Sequence, residues 1–171
     1  MCIRDRDKID KLIRFLPRPA DYLFVYLLCF YILLISLKVE KKFAVIGAFA
    51  FAFSTYLIII LGVGHNTKAL AIGYAPLAIA GVYNLFEKKY LIGFILATLG
   101  FGLQINANHY QMTYYFVMLS GLLALIHLYH EIKNKNIDLK KYSSFLGAII
   151  LAITLNSVSY THLTLPTRLS V

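Results

Sequence analysis

The chain has 171 residues, of which 60% are hydrophobic and only 15% are charged, and its mean hydropathy is +0.71. This composition is too apolar for a water-soluble domain of this size and indicates a protein dissolved in a lipid bilayer. The net charge of +9 does not indicate nucleic-acid binding, because the basic residues lie between apolar runs, where membrane topology and anionic lipid account for them.

Both ends of the chain resemble translated sequencing adapter. The first six residues can be encoded by one end of a transposase library sequence, and the reverse complement of that DNA encodes residues 158–162. We therefore expect residues 1–6 and 157–171 to be artefacts and exclude them from functional reasoning. On this interpretation the biological chain is open at both ends, and the remainder of the same chain is missing.

Residues 7–21 precede the first apolar run and are predicted to form an external juxtamembrane segment. Apolar and basic residues alternate there at helical spacing, which is typical of a helix lying in the membrane interface. The apolar positions are Ile9, Leu12, Ile13 and Leu16, the basic ones are Lys8, Lys11 and Arg14, and Pro17 and Pro19 end the predicted helix.

Six apolar runs within residues 22–156 approach the roughly 20 residues that a helix needs to cross a bilayer core of about 30 Å. They are 22–37, 43–63, 69–86, 90–105, 112–129 and 142–155. Several are short, but tyrosines and lysines at their ends can sit at the interface and extend the span. The sequence therefore predicts an all-α, polytopic transmembrane helical bundle of about six spans.

Lysines fall in alternate loops and so predict the orientation of this bundle. One side carries Lys38, Lys41, Lys42, Lys88, Lys89, Lys133, Lys135, Lys140 and Lys141, whereas the opposite short loops contain Lys68 alone. Basic loops stay in the cytoplasm, so we expect the lysine-rich side to be cytoplasmic. Lys8, Lys11, Arg14 and Arg18 oppose this assignment, since they precede the first span on the outer side.

Small and polar residues inside the runs predict how the helices pack. Small residues recur every fourth position at Ala44, Ala48 and Ala52, and again at Gly93 and Ala97. This spacing lets helix backbones approach closely in a membrane. The amides of Asn84 and Gln104 lie in or near spans, where we expect them to hydrogen-bond to neighbouring helices.

Two polar loops, 64–68 and 106–111, fall together on the predicted outer side. Each precedes a helix that runs inward, so each presents free N–H groups and the positive end of a helix dipole, which can bind an anion. Asn66 or Thr67 can cap the third span and Asn108 the fifth. Ordinary polar caps at a water interface would show the same residue spacing as a binding site. The sequence therefore leaves both interpretations open.

We take these loops as the candidate site for the phosphate of a lipid. Its residues are His65, Asn66, Thr67, Lys68, Asn108, His109 and Gln111.

The sequence contains few other motifs for metal binding or catalysis. His127, His130 and Glu131 have the helical spacing of metal ligands, but at a helix end such side chains are more often interfacial, so no metal is predicted. No nucleotide-binding glycine loop, Ser-His-Asp order or paired-cysteine motif occurs, and no cofactor is expected.

The two polar loops and the helix between them resemble the central membrane region of YfhO-type bacterial proteins. The similar stretches are 64–70 (GHNTKAL), 74–77 (YAPL) with 80–81 (AG), and 103–115 (LQINANHYQMTYY), and the resemblance extends over about residues 15–129. It implies a large multi-pass protein of the bacterial plasma (inner) membrane, related to GT-C glycosyltransferases. Such enzymes use polyprenyl-phosphate sugar donors and transfer the sugar at the outer face.

The resemblance does not identify a catalytic residue in this chain. The family's usual catalytic group is an acidic residue in the first external loop, upstream of this region, and Asp21, Glu87, Glu131 and Asp138 do not stand in that context. We expect the fragment alone to be inactive. The alternative function is a transporter or lipid-handling membrane protein, which should show ionisable residues or broken helices near the bilayer midplane. The runs show neither clearly.

Overall fold

The computed structural model describes residues 19–135 and 138–164, with side chains described as far as residue 157. All regular structure in these residues is helical, which confirms the predicted all-α class. The helices are α1 (Ala20–Ser36), α2 (Lys41–Ala52), α3 (Thr55–Gly62), α4 (Asn66–Phe86), α5 (Tyr90–Asn106), α6 (Tyr110–Lys133) and α7 (Leu139–Thr164). The amphipathic segment expected before residue 19 lies outside the described residues, and α7 continues past residue 157, where adapter sequence was expected.

Fewer helices than the predicted six meet the length and composition needed to cross a bilayer. Among the described residues, α4 and α6 do so, and α2 with α3 makes a third candidate if this bent pair is one span. α1 and α5 are apolar but have 17 residues each. At 1.5 Å per residue such a helix is about 26 Å long, which is shorter than a bilayer core of about 30 Å.

The second predicted run, 43–63, is not one helix. α2 and α3 meet at residues 53–54 with a bend of 41°. The Ser54 N–H donates to the carbonyl of Phe51, and the Ser54 carbonyl accepts from the N–H of Ile58, so the chain leaves one helix and enters the next at once. The polar pair Ser54 and Thr55 was the available signal for this break, since serine and threonine favour helix starts.

α4 is the central helix of the bundle, and most of its side chains are buried. It packs most extensively against α5 and α1, and it also contacts α3, α6 and α7. The α4–α5 contact is backbone to backbone: a Cβ added to Gly81 would lie 2.1 Å from the Ala97 nitrogen, and one added to Gly93 would lie 2.6 Å from the Leu85 nitrogen. The predicted close contact at Gly93 and Ala97 is therefore confirmed.

Two further packing predictions are confirmed. Ala44, Ala48 and Ala52 are all buried, and their helix, α2, packs against α1. The side-chain amide of Asn84 donates to the hydroxyl of Ser36 on α1 at 2.8 Å. The amide of Gln104 donates to the backbone carbonyl of Ala71 on α4 at 3.1 Å. Polar side chains thus tie α1, α4 and α5 together inside an apolar bundle.

Three turns at one end of the bundle place a lysine in the left-handed backbone region. The φ angles of Lys38, Lys88 and Lys135 are 63°, 64° and 53°. A helix often closes on such a residue, and a lysine there also places a positive charge at the negative end of the helix dipole. We call this the lysine end, and the opposite end, where His65 and His109 lie, the histidine end.

Candidate functional site

Both loops of the predicted phosphate site lie at the histidine end. α4 begins there at Asn66 and α6 at Tyr110. The two helices contact each other, and near their C-termini the rings of Phe86 and His127 stack with centroids 4.5 Å apart. α4 and α6 therefore run in the same direction, and their N-termini open toward the same end of the bundle.

The expected capping residues are wrong at both helices. The N-cap of α4 is His65, whose side chain makes no capping hydrogen bond, and Asn66 is already the first helical residue. The N-cap of α6 is His109, whose Nδ1 accepts from the Met112 N–H at 3.4 Å. Asn108 instead has a φ of 58°, a conformation that asparagine tolerates better than most residues.

The seven predicted site residues differ in exposure and in partners. Asn66, Lys68 and His109 are half-buried, whereas the other four are exposed. The Lys68 ammonium lies 5.6 Å from the centroid of the Tyr56 ring, and the Gln111 amide donates to the Tyr115 hydroxyl at 3.0 Å. Among the described side chains, no hydrogen bond, ion pair or ring contact joins the predicted residues of the first loop to those of the second. The structure thus gathers the two groups at one end without linking them.

A cavity of about 220 Å³ lies at the lysine end. It is lined by Lys88, His127, His130, Glu131, Asn134, Asp138 and Lys141. Its walls come from the α4–α5 turn, the end of α6 and the start of α7, which are far apart in sequence. The sequence analysis grouped His127, His130 and Glu131 as possible metal ligands and did not predict the cavity. In the described part of the chain, no group of three or more His, Cys, Asp or Glu side chains could hold a metal ion.

The two carboxylates of this cavity are held by other groups of the protein. Glu131 accepts from the Lys141 ammonium, from the Tyr142 hydroxyl at 3.1 Å and from the Asp138 N–H at 3.3 Å. Asp138 accepts from the Tyr90 hydroxyl and from the Lys140 N–H at 3.2 Å. The hydrogen bond from Tyr90 is the main reason why the pKa of Asp138 is lowered.

A separate ion pair at the lysine end joins the turns after α1 and α4. The Lys38 ammonium hydrogen-bonds to the Glu87 carboxylate, and both side chains are substantially exposed. This hydrogen bond raises the pKa of Lys38 and lowers the pKa of Glu87. Because solvent screens an exposed pair, we assign it a role in positioning the two turns and not in stabilising the bundle.

Comparison with known proteins yields no match: no family model, curated protein or solved structure is significantly similar to this chain.

Proposed function

We propose that this chain is the membrane-embedded helical region of a multi-pass bacterial plasma-membrane protein. In this proposal the protein is glycosyltransferase-like and handles a polyprenyl-phosphate-linked sugar at the outer face. The observation that carries the membrane assignment is the surface of α6. This helix is apolar enough to span a bilayer, yet only 11% of its apolar stretch is buried inside the protein. A helix that is apolar on its outer faces is stable where lipid covers it.

Other helices support the same proposal. Large apolar side chains are exposed along α2, α3, α5 and α7, among them Phe43, Ile46, Ile59, Leu91 and Ile150. We propose that α1, α5 and α7 complete the six crossings, with interfacial tyrosines and lysines at their ends extending the short helices. The lysine end then faces the cytoplasm and the histidine end faces outward.

The sugar-carrier part of the proposal is supported by the histidine end. Two parallel helices begin there, and the positive ends of both dipoles attract an anion at that surface. Lys68 stands in the first turn of α4, and His109 caps α6. A lipid phosphate in this partly dehydrated interface would interact with both more strongly than in bulk water.

The corresponding test is the affinity of the purified chain for a polyprenyl phosphate in lipid nanodiscs. Lys68→Ala should raise the Kd about tenfold, because a hydrogen bond to a charged group contributes about 1.5–3 kcal/mol. His109→Ala should weaken binding in the same direction. Lys135→Ala, which removes a charge from the opposite end, is the matched control. If all three variants bind as the unaltered chain does, the loops are simple caps and the proposed site is refuted.

The break between α2 and α3 favours a second candidate, a transporter or lipid-handling protein without transfer chemistry. In transporters, interrupted helices commonly form the substrate site near the bilayer midplane. The 41° bend at residues 53–54 supplies such an interruption, which was not predicted from the sequence. This candidate differs from the first because no covalent bond of the lipid changes.

A further inference from the structure

The cavity at the lysine end offers several hydrogen-bond donors to a ligand. Its two carboxylates, Glu131 and Asp138, each already accept two or more hydrogen bonds from the protein. In contrast, the ammonium of Lys88 and the side-chain amide of Asn134 have no hydrogen-bond or ion-pair partner among the described residues. An anion in the cavity would therefore meet an ammonium and an amide that hydrogen-bond to no other described residue.

The two imidazoles of the cavity add to this set of donors. The ring of His127 stacks on Phe86 with an interplanar angle of 6°. Stacking covers one face of the ring and leaves its two nitrogens, which lie in the ring plane, open for hydrogen bonds. His130 meets the ring of Tyr129 edge to face. Neither imidazole hydrogen-bonds to another described residue, so each can donate an N–H to a ligand.

The charges around the cavity also favour an anion. Within the lining, Lys141 neutralises Glu131, and Lys88 is close enough to Asp138 to lower the pKa of its carboxyl. The whole lysine end carries nine lysines against the four carboxylates of Glu40, Glu87, Glu131 and Asp138, a net charge of +5 over its described turns. A surface of one sign draws oppositely charged ligands toward its clefts.

The volume and the wall chemistry set the class of ligand. All seven lining residues are polar. The volume of the cavity is about 220 Å³, which equals the volume of roughly seven waters at about 30 Å³ each. A phosphate monoester fits both conditions, because it is compact and its three terminal oxygens can accept hydrogen bonds from several directions at once.

We propose that the cavity at the lysine end binds the phosphate monoester group of a soluble metabolite or of a lipid, with Lys88, His127, His130 and Asn134 as donors. This site is separate from the carrier site proposed at the histidine end. The two can be tested independently, since they share no residue.

The test uses the full chain in neutral detergent with two probes. Inorganic phosphate is titrated calorimetrically, and dioleoyl phosphatidic acid is compared with dioleoyl phosphatidylcholine by native mass spectrometry. We expect saturable binding of at least one phosphate probe, with a Kd that Lys88→Gln raises about tenfold through loss of a charge-assisted hydrogen bond. Binding of phosphate itself would identify the source as a soluble ligand, and binding of phosphatidic acid alone would identify it as a lipid.

Lys135→Gln is the matched control, because Lys135 has the same left-handed backbone as Lys88 and the same charge but does not line the cavity. It should leave the Kd within about twofold, since Lys135 is not among the residues that line the cavity and salt screens a charge that does not contact the ligand. Asn134→Leu, which should weaken binding several-fold, provides a second variant if Lys88→Gln does not fold. The proposal would be overturned if Lys88→Gln and Lys135→Gln changed the Kd equally, or if neither probe showed saturable binding.

Discussion

Replacing Gly81 with alanine is expected to destabilise the bundle by about 3 kcal/mol, the upper part of the range for overpacking in a well-packed core. The added Cβ would lie 2.1 Å from the nitrogen of Ala97 and 2.5 Å from its Cα. Both are backbone atoms of α5, so no side chain can rotate away, and the two helices must separate. Separation would in turn weaken the hydrogen bond from Gln104 of α5 to Ala71 of α4.

The matched control for this prediction is Gly121→Ala on α6. A Cβ at Gly121 meets nothing within 4 Å, so the change only removes the backbone entropy cost of a helical glycine and should stabilise the chain by up to about 1 kcal/mol. The measurement is reversible unfolding in mixed detergent micelles followed by circular dichroism. Equal shifts in the two variants would show that α4 and α5 do not meet at Gly81.

Replacing Glu131 with alanine is expected to cost about 3 kcal/mol, the lower end of the range for breaking a buried ion pair. The side chain of Lys141 is only 7% exposed, and loss of Glu131 removes the carboxylate with which its ammonium forms an ion pair. The Tyr142 hydroxyl and the Asp138 N–H lose their acceptor in the same variant. The contact between the end of α6 and the start of α7 should therefore loosen first.

Two comparisons separate this effect from a simple change of charge. Glu87→Ala removes an exposed carboxylate at the same end of the bundle and should have a smaller effect, because solvent screens that pair. The double variant Glu131→Gln with Lys141→Gln should recover part of the lost stability, since no unpaired charge stays buried. Equal unfolding midpoints for Glu131→Ala and Glu87→Ala would refute the buried pair.

Helix existence and contact faces could be predicted from the sequence because both depend on local patterns. Apolar runs separated by polar turns predicted the helices, and the four-residue spacing of Ala44, Ala48 and Ala52 predicted a buried face. Asn84 and Gln104 were expected to find partners on other helices because an unpaired amide in an apolar interior is costly. Their partners, Ser36 and the carbonyl of Ala71, became known only from the packing.

The features that were missed depend on backbone geometry or on distant contacts. The break near Ser54 is marked only by the polar pair Ser54 and Thr55 in an otherwise continuous apolar run. The mean hydropathy of the whole run hides these two residues. The caps shifted to the histidines because Gly64 and Asn108 take positive φ angles, which leaves the next residue to start each helix. The cavity at the lysine end needs three chain segments to meet, and no local pattern in any one of them predicts that meeting.

The most direct test of the membrane account is the accessibility of single cysteines to an impermeant thiol reagent in intact cells. The background replaces Cys2 and Cys29, and the two sites are Asn66→Cys at the histidine end and Lys88→Cys at the lysine end. We predict that Asn66→Cys is labelled from outside and that Lys88→Cys is labelled only after the cells are permeabilised. Labelling of Lys88→Cys in intact cells with Asn66→Cys protected, or protection of both, would contradict the account.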